Sequence, residues 1–240
     1  MSFLNFVNNT VVMCTLGAKK LKEQFYIFKN RDREYRIHTE VVREGGKVRK
    51  LLVVDERGHC EGINEYGIGV VEATLQPFPR VRHKTPSQIM RNMLNEHDIK
   101  GALEIIRKSN ISANIILSDG VAAYIVEKTP YEFAATKLKD QGVITNLSVK
   151  LNKKNGSKLA SVRTWANIRY RRAKEIIKDV KSFKRITRFL GDKKNYPMSI
   201  CSGPPWWITT KCSYIYDLKK KRIFFCSTRP DRGVFKECKL

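Results

Sequence analysis

The chain has 240 residues, of which 47 are lysine or arginine and 23 are aspartate or glutamate, so its formal net charge is +24. A hydrophobic content of 42% allows a sizeable core and argues against intrinsic disorder. No apolar run is long enough to cross a bilayer, and residues 1–13 lack the basic start and long apolar core of a secretory signal, so neither class of protein is expected.

The first part of the chain is predicted to form strands joined by short turns, followed by two helices. Apolar runs bounded by polar or glycine-containing turns predict strands over 11–18, 24–29, 50–56 and 58–75, the last with a tight turn in its middle. Thr85 followed by Pro86 is typical of a helix start, with the threonine as cap. Asp98 is predicted to cap a second helix.

The second part repeats this order of strands, helices and strands. Residues 113–148 are strand-rich, and Asp119-Gly120 predicts a hairpin turn. From Ser157 to Leu190, apolar residues recur every three or four positions opposite a basic face, which predicts one or two helices ended by Gly191. Three final strands are predicted, over 199–203, 212–218 and 222–228. This order favours the α+β class, with a two-sheet core covered by helices on both outer faces.

The positive charge is concentrated in the C-terminal part of the chain. Residues 1–150 hold 23 basic and 17 acidic residues, whereas residues 151–240 hold 24 basic and 6 acidic ones, which gives net charges of +6 and +18. A field of this sign attracts nucleic acid, acidic lipid or an anionic substrate. A lysine-rich surface that serves only solubility is an equally simple interpretation.

The cysteine and histidine pattern does not indicate a metal site. The chain has six cysteines and four histidines, and no two cysteines form a CxxC pair. We therefore expect no metal and no other cofactor, and a reduced, cytoplasmic location.

A cysteine nucleophile needs a base, because only the thiolate attacks. No histidine lies near Cys14 in the sequence. A cysteine that is the first residue of a mature chain supplies its own base, since an α-amine has a reference pKa of roughly 8. A carboxylate and an amide side chain could then orient that amine and stabilise the tetrahedral oxyanion.

The segments Met13-Cys14-Thr15 and Lys29 to Arg33 (KNRDR) resemble the N-terminal-nucleophile (Ntn) hydrolases that use cysteine. The closest resemblance is to the branch of choloylglycine hydrolases, penicillin acyltransferase-like enzymes and acid-ceramidase-like amidases. Further matches follow in the same order, at 62–68, 114–119, Glu127, 143–146, 169–172, Cys201, 209–217 and 229–230. The resemblance covers nearly the whole chain from Cys14 onward. It implies a four-layer αββα sandwich, in which two antiparallel sheets lie between helix layers.

The resemblance also implies roles for individual residues. The catalytic set would be Cys14 as nucleophile and base, Asp32 to hold its amine, Asn146 to donate to the oxyanion, and Arg169 or Arg163 as a nearby cation. Substrate-binding positions would be Lys29, which stands where many relatives have arginine, and Arg31, which could replace that arginine. They would also include Thr74, where bile-salt relatives have a second asparagine, and Trp206 and Trp207, which could line an acyl or aromatic pocket. Taken singly, each of these residues also has a simpler interpretation. Cys14 could be an inert core thiol, Asp32 an ordinary turn residue and Arg169 a solvated charge. Trp206 and Trp207 could serve only in packing.

Residues 1–13 allow three interpretations. They form a short propeptide that Cys14 removes autocatalytically, or an upstream extension of a chain whose natural start is Met13. In the third interpretation Cys14 stays internal and the protein is not an enzyme. Residues 14–240 are predicted to form one domain.

The expected function is hydrolysis of a linear amide through a cysteine thioester, on a small-molecule substrate that could be anionic. Two alternatives stay open. One is an acyltransferase of the same fold, and the other is a non-enzymatic relative that binds nucleic acid through its basic helix. A homo-oligomer is compatible with the sequence.

Overall fold

The computed structural model describes residues 13–34, 36–75, 85–151, 160–205 and 207–240. The strands are β1 (Met13–Leu21), β2 (Gln24–Arg33), β3 (Thr39–Glu44), β4 (Lys50–Asp55), β5 (Cys60–Asn64), β6 (Gly69–Thr74), β7 (Ala113–Ser118), β8 (Ala123–Lys128), β9 (Phe133–Lys137), β10 (Gln141–Ile144), β11 (Thr209–Asp217), β12 (Arg222–Cys226) and β13 (Lys236–Lys239). The helices are α1 (Pro86–Met93), α2 (Ile99–Lys108), α3 (Ala160–Ile176) and α4 (Phe183–Leu190).

The strands form two antiparallel sheets. The first has six strands in the order β10-β1-β2-β11-β12-β13, and the second has seven in the order β3-β4-β5-β6-β7-β8-β9. Adjacent strands of the second sheet follow one another in the chain, so that sheet is a meander that α1 and α2 interrupt. In the first sheet, β1 and β2 form a hairpin, and strands from later in the chain pair on both sides of it.

Four apolar clusters pack the layers together, and the smallest of them joins Met13 of β1 to Trp165 and Ala166 of α3. One cluster lies between the sheets and includes Leu16, Ile63 and Ile144. A second joins the seven-stranded sheet to α1 and α2, and a third joins the six-stranded sheet to α3 and α4. The order of layers is therefore helix, sheet, sheet, helix, which confirms the predicted αββα sandwich of the α+β class.

The helix boundaries follow from their capping residues. Thr85 and Gln88 form a capping box at α1, Asp98 accepts from the backbone N–H of Gly101 at 2.8 Å, and Ser182 caps α4. The helical stretch predicted over 157–190 consists, from residue 160 onward, of α3, a 3₁₀ turn over Ile177–Asp179 and α4, which Gly191 caps. Residues 157–159 lie outside the described residues. No helix in the described ranges is long and apolar enough to span a membrane.

The prediction of a strand over 199–203 is wrong. This segment is a buried loop, in which the Ile200 carbonyl accepts from the side chain of Asn30 and the Cys201 N–H donates to the Asp192 carbonyl. Its backbone groups are therefore satisfied outside any sheet ladder. Proline at 204 and 205 also removes donors just beyond it.

Candidate active site

Cys14 lies near the start of β1, and its side chain points into the space between the two sheets. Side chains alternate along a strand, so Cys14, Leu16 and Ala18 all belong to the inter-sheet cluster. The cysteine is fully buried. Its backbone nitrogen donates to Oδ1 of Asn146 at 2.6 Å.

Asn146 connects β1 to the other sheet. It follows β10, and its Nδ2 donates to the carbonyl oxygen of Thr74, at the end of β6, at 2.8 Å. The side chain of Asn114 holds this segment in place, since its Nδ2 donates to the carbonyls of Thr145 at 2.7 Å and Leu147 at 2.6 Å. Thr74 thus meets Asn146 through its backbone, while its hydroxyl donates to Glu72 at 2.7 Å.

Asp32 lies on the opposite face of the six-stranded sheet, towards α3. Its carboxylate accepts from Nη1 of Arg169 at 2.5 Å and from the hydroxyl of Thr210 at 2.7 Å. Burial raises the pKa of Asp32, and Arg169 and Thr210 oppose that shift by stabilising the carboxylate. Asp32 is also the cross-strand partner of Met13, the residue that precedes Cys14.

Three cations alternate along β2 on the same face as the thiol of Cys14. Lys29 pairs with the carboxylate of Glu61, and Arg31 pairs with that of Asp55. Nη1 of Arg33 lies 3.6 Å from the sulfur of Cys14 and donates to the backbone carbonyl of Asp32 at 2.8 Å. Lys29, Arg31 and Arg33 are all buried.

Acidic groups on β5 and β6 face these cations. Burial favours the neutral form of Glu61, but Lys29 and His59 outweigh it and hold the pKa of Glu61 well below its usual range. Burial, with the charge of Arg31, lowers the pKa of His59 to about 3, so its imidazole is neutral near pH 7. Tyr214 completes the network by donating to Glu61 at 2.8 Å.

The same network contains a group of potential metal ligands. In the described part of the chain, ligand-type atoms of His59, Glu61 and Glu72 lie within 4.8 Å of one another. However, the ammonium group of Lys29 already pairs with Glu61 and donates to the carbonyl of Glu72. A divalent ion would also face Arg31. The residues therefore fit a salt-bridge network better than a metal centre.

The structure places most of the predicted site residues around β1, on two faces of the six-stranded sheet. Asn146 contacts the backbone of Cys14, whereas Asp32 and Arg169 pair on the other face of the sheet. Arg163, the alternative to Arg169, is exposed. Trp207 is 51% exposed, and Trp206 lies outside the described residues.

Sequence reasoning missed several residues of the site. Arg33 shares a face with Cys14, and the strand alternation of the KNRDR segment would have placed it there. His59 lies just before β5 and Glu61 lies within it, so the two residues are also two positions apart. Asn114 and Thr210 lie in segments that carry the resemblance, but no role was predicted for them, because their partners lie 31 and 178 positions away in the chain.

Three other thiols are poor candidates for a nucleophile. Burial raises the pKa of Cys60 and Cys201 to about 12 and that of Cys212 to about 11. A thiol with such a pKa is almost entirely protonated near neutral pH.

A groove of about 700 Å³ runs along β10 beside α3. Val143, Ile144 and Ile177 form part of its apolar floor, and Lys174 and Lys178 lie at its rim. Ile144 also packs in the inter-sheet cluster with Cys14. The groove therefore meets the inter-sheet cluster at Ile144.

Comparisons with known proteins support the fold. No protein-family model matches the chain, and no curated protein sequence matches it either. Among solved structures, the chain is similar to a variant of conjugated bile acid hydrolase from Clostridium perfringens, with a TM-score of 0.62. The two share 13% sequence identity, over 95% of this chain and 97% of that chain. This likeness shows a shared fold, in which two sheets lie between helix layers.

Proposed function

We propose that the protein hydrolyses a linear amide, with Cys14 as its nucleophile once that residue is the first of the chain. The observation that supports this most directly is the contact between the Cys14 backbone nitrogen and Asn146. It places a polar amide side chain beside the atom that would become the catalytic amine. The shared Ntn hydrolase fold supports the same proposal.

Removal of residues 1–13 would create the amine. In the autocatalytic route the sulfur of Cys14 attacks the Met13 carbonyl, and the Met13–Cys14 C–N bond breaks. Breaking that bond frees the Cys14 amine, which takes the thiol proton. Water then hydrolyses the thioester, which frees the thiol and releases residues 1–13 with a carboxylate on Met13. If Met13 is the natural start instead, an aminopeptidase would remove it. Either route removes Met13, which is the cross-strand partner of Asp32.

The reaction on substrate would proceed through a thioester. The Cys14 amine takes the thiol proton, and the thiolate attacks the amide carbonyl carbon. The C–N bond of the substrate breaks, and its nitrogen leaves with the proton held by the amine. Water, deprotonated by the same amine, then hydrolyses the thioester and releases the carboxylic acid.

The surrounding residues fit supporting roles. Asp32, held by Arg169 and Thr210, would orient the Cys14 amine from the helix side of the sheet. Nδ2 of Asn146 would donate to the oxyanion in place of its bond to Thr74. The guanidinium of Arg33, 3.6 Å from the sulfur, would stabilise the negative charge that develops there.

The experiment that tests this function is turnover of a panel of N-acyl 4-nitroanilides by wild type and Cys14→Ala. Cys212→Ala is the matched control, because Cys212 is also buried between the sheets. We expect turnover in wild type and in the control and none in Cys14→Ala. Equal turnover by wild type and Cys14→Ala would refute the proposal.

Two alternatives are separable in the same system. Added hydroxylamine would give a hydroxamate in preference to the acid if the protein is an acyltransferase. A nucleic-acid-binding relative would bind DNA or RNA with an affinity that falls steeply with salt and survives Cys14→Ala.

We place the enzyme in the cytoplasm, acting on a small-molecule amide without a cofactor.

A further inference from the structure

Arg31 has buried hydrogen-bond donors that the structure leaves without acceptors. Its Nη2 pairs with Asp55, whereas Nε and Nη1 are buried and have no hydrogen-bond partner among the described residues. The side chain is only 1% exposed. Because a buried charged group with unmet donors is strongly unfavourable, an acceptor is expected beside it.

Lys29 and Arg33, the neighbouring cations on β2, already donate to acceptors in the structure. The ammonium of Lys29 donates both to the carboxylate of Glu61 and to the carbonyl of Glu72. Arg33 donates to the carbonyl of Asp32 and approaches the sulfur of Cys14. Arg31 is therefore the member of this row best suited to receive an additional anion.

Arg31 lies directly beside the proposed nucleophile. It is the cross-strand partner of Cys14, and both side chains point between the sheets. The Cβ atoms of such partners are about 4.5–5.5 Å apart. Any route that brings a substrate carbonyl to the sulfur of Cys14 therefore also brings the substrate within reach of Arg31.

The sheet order indicates which half of a substrate would meet Arg31. β1 lies between β10 and β2. The nitrogen of Cys14 faces Asn146, on the β10 side, and this nitrogen would pass its proton to the leaving amine. Arg31 lies on the β2 side, so the acyl half of the substrate would extend towards it.

We infer that Arg31 binds a carboxylate carried by the acyl half, so that the substrates are amides of short dicarboxylic acids. The assignment to the acyl half rests on the proposed function. The binding itself does not, because it can be measured without turnover. The carboxylate would accept from Nε or Nη1 of Arg31 while Asp55 keeps Nη2.

The test compares the binding of glutarate and pentanoate, which have the same chain length, to the purified full chain by calorimetry. The variant is Arg31→Met combined with Asp55→Asn, because Arg31→Met alone would leave a buried carboxylate unpaired. The amide introduced by Asp55→Asn would keep an oxygen for the N–H groups of Arg57 and His59, which Oδ1 of Asp55 accepts at 2.9 Å. Arg188→Met, at an exposed arginine on α4, is the matched control.

We expect wild type and Arg188→Met to bind glutarate about 10- to 100-fold more tightly than pentanoate, and the double variant to lose this preference. Equal binding of the two acids by wild type would overturn the inference and leave ordered water as the acceptor. An unchanged preference in the double variant would overturn it as well. Failure of the proposed function is distinguishable, since it would appear as equal 4-nitroanilide turnover by wild type and Cys14→Ala whatever the binding result.

Discussion

The backbone nitrogen of Cys14 donates to Oδ1 of Asn146 at 2.6 Å, although the two residues are 132 positions apart in the chain. Nδ2 of the same asparagine donates to the carbonyl of Thr74 at 2.8 Å. Asn146 thus ties the start of the β1 strand to the end of β6 in the other sheet. A single amide side chain therefore links the proposed nucleophile to both sheets.

Asn146→Ala is expected to reduce amide turnover by about 100- to 1000-fold, the usual effect of losing one oxyanion donor. The loss should fall on kcat, because the donor acts when negative charge develops. Asn110→Ala, at an exposed asparagine, is the control and should retain wild-type kinetics. A change confined to KM would contradict the assigned role.

Replacing either partner of the Asp32–Arg169 pair should destabilise the protein strongly. Both side chains are buried, and removal of one leaves the other charge unpaired, which costs about 3–5 kcal/mol. Urea unfolding of Asp32→Asn, Arg169→Met and the double variant measures this. We expect the double variant to recover much of the stability that each single variant loses.

Measuring amide turnover distinguishes a catalytic role of the Asp32–Arg169 pair from a purely structural one. The double variant should stay inactive even where its stability recovers, because no carboxylate remains to orient the Cys14 amine. An active double variant would show that Asp32 has only a structural role.

His59 should make stability depend on pH. Its folded-state pKa is about 3, below the ordinary value of 6.5, so the native state holds fewer protons than the unfolded state between these values. The free energy of unfolding is therefore highest above pH 6.5 and falls as the pH drops towards 3, by up to about 1.4 kcal/mol per pH unit. Urea unfolding between about pH 7 and about pH 5 measures this effect, and a histidine variant must separate it from Asp32 and Glu72, because burial raises the pKa of both carboxyl groups.

His59→Gln should flatten the pH dependence over that interval. His97→Gln, at an exposed histidine whose ring centroid lies 4.3 Å from that of Tyr66, should leave it unchanged. The same slope in wild type and His59→Gln would show that another group is responsible.

The layer order of the fold could be predicted from the sequence, because hydrophobic periodicity and capping residues are local signals. The hairpins, the helices that begin at Thr85 and Asp98 and the helical stretch up to Leu190 depend on such signals, and the structure contains them within the described residues. The strands β3 and β13 were not predicted. Both lie at sheet edges, where exposed polar side chains weaken the apolar pattern.

The site could be predicted only in part. Motif resemblance indicated Cys14, Asp32, Asn146 and Arg169 as a set, and strand alternation could have added Arg33. It could not show that Asp32 pairs with Arg169 on the other face of the sheet from the thiol, or that Lys29 is neutralised by Glu61. Such contacts depend on pairings between distant strands and helices, which no local pattern specifies.

The most direct test of the central claim is the intact mass of the purified protein, expressed from Met1, for wild type and Cys14→Ala. We predict that wild type lacks residues 1–13 and begins at Cys14, and that Cys14→Ala retains them. If both proteins retain all 240 residues, and a chain that starts at Met13 also shows no amide turnover, Cys14 is not an N-terminal nucleophile and the central claim is contradicted.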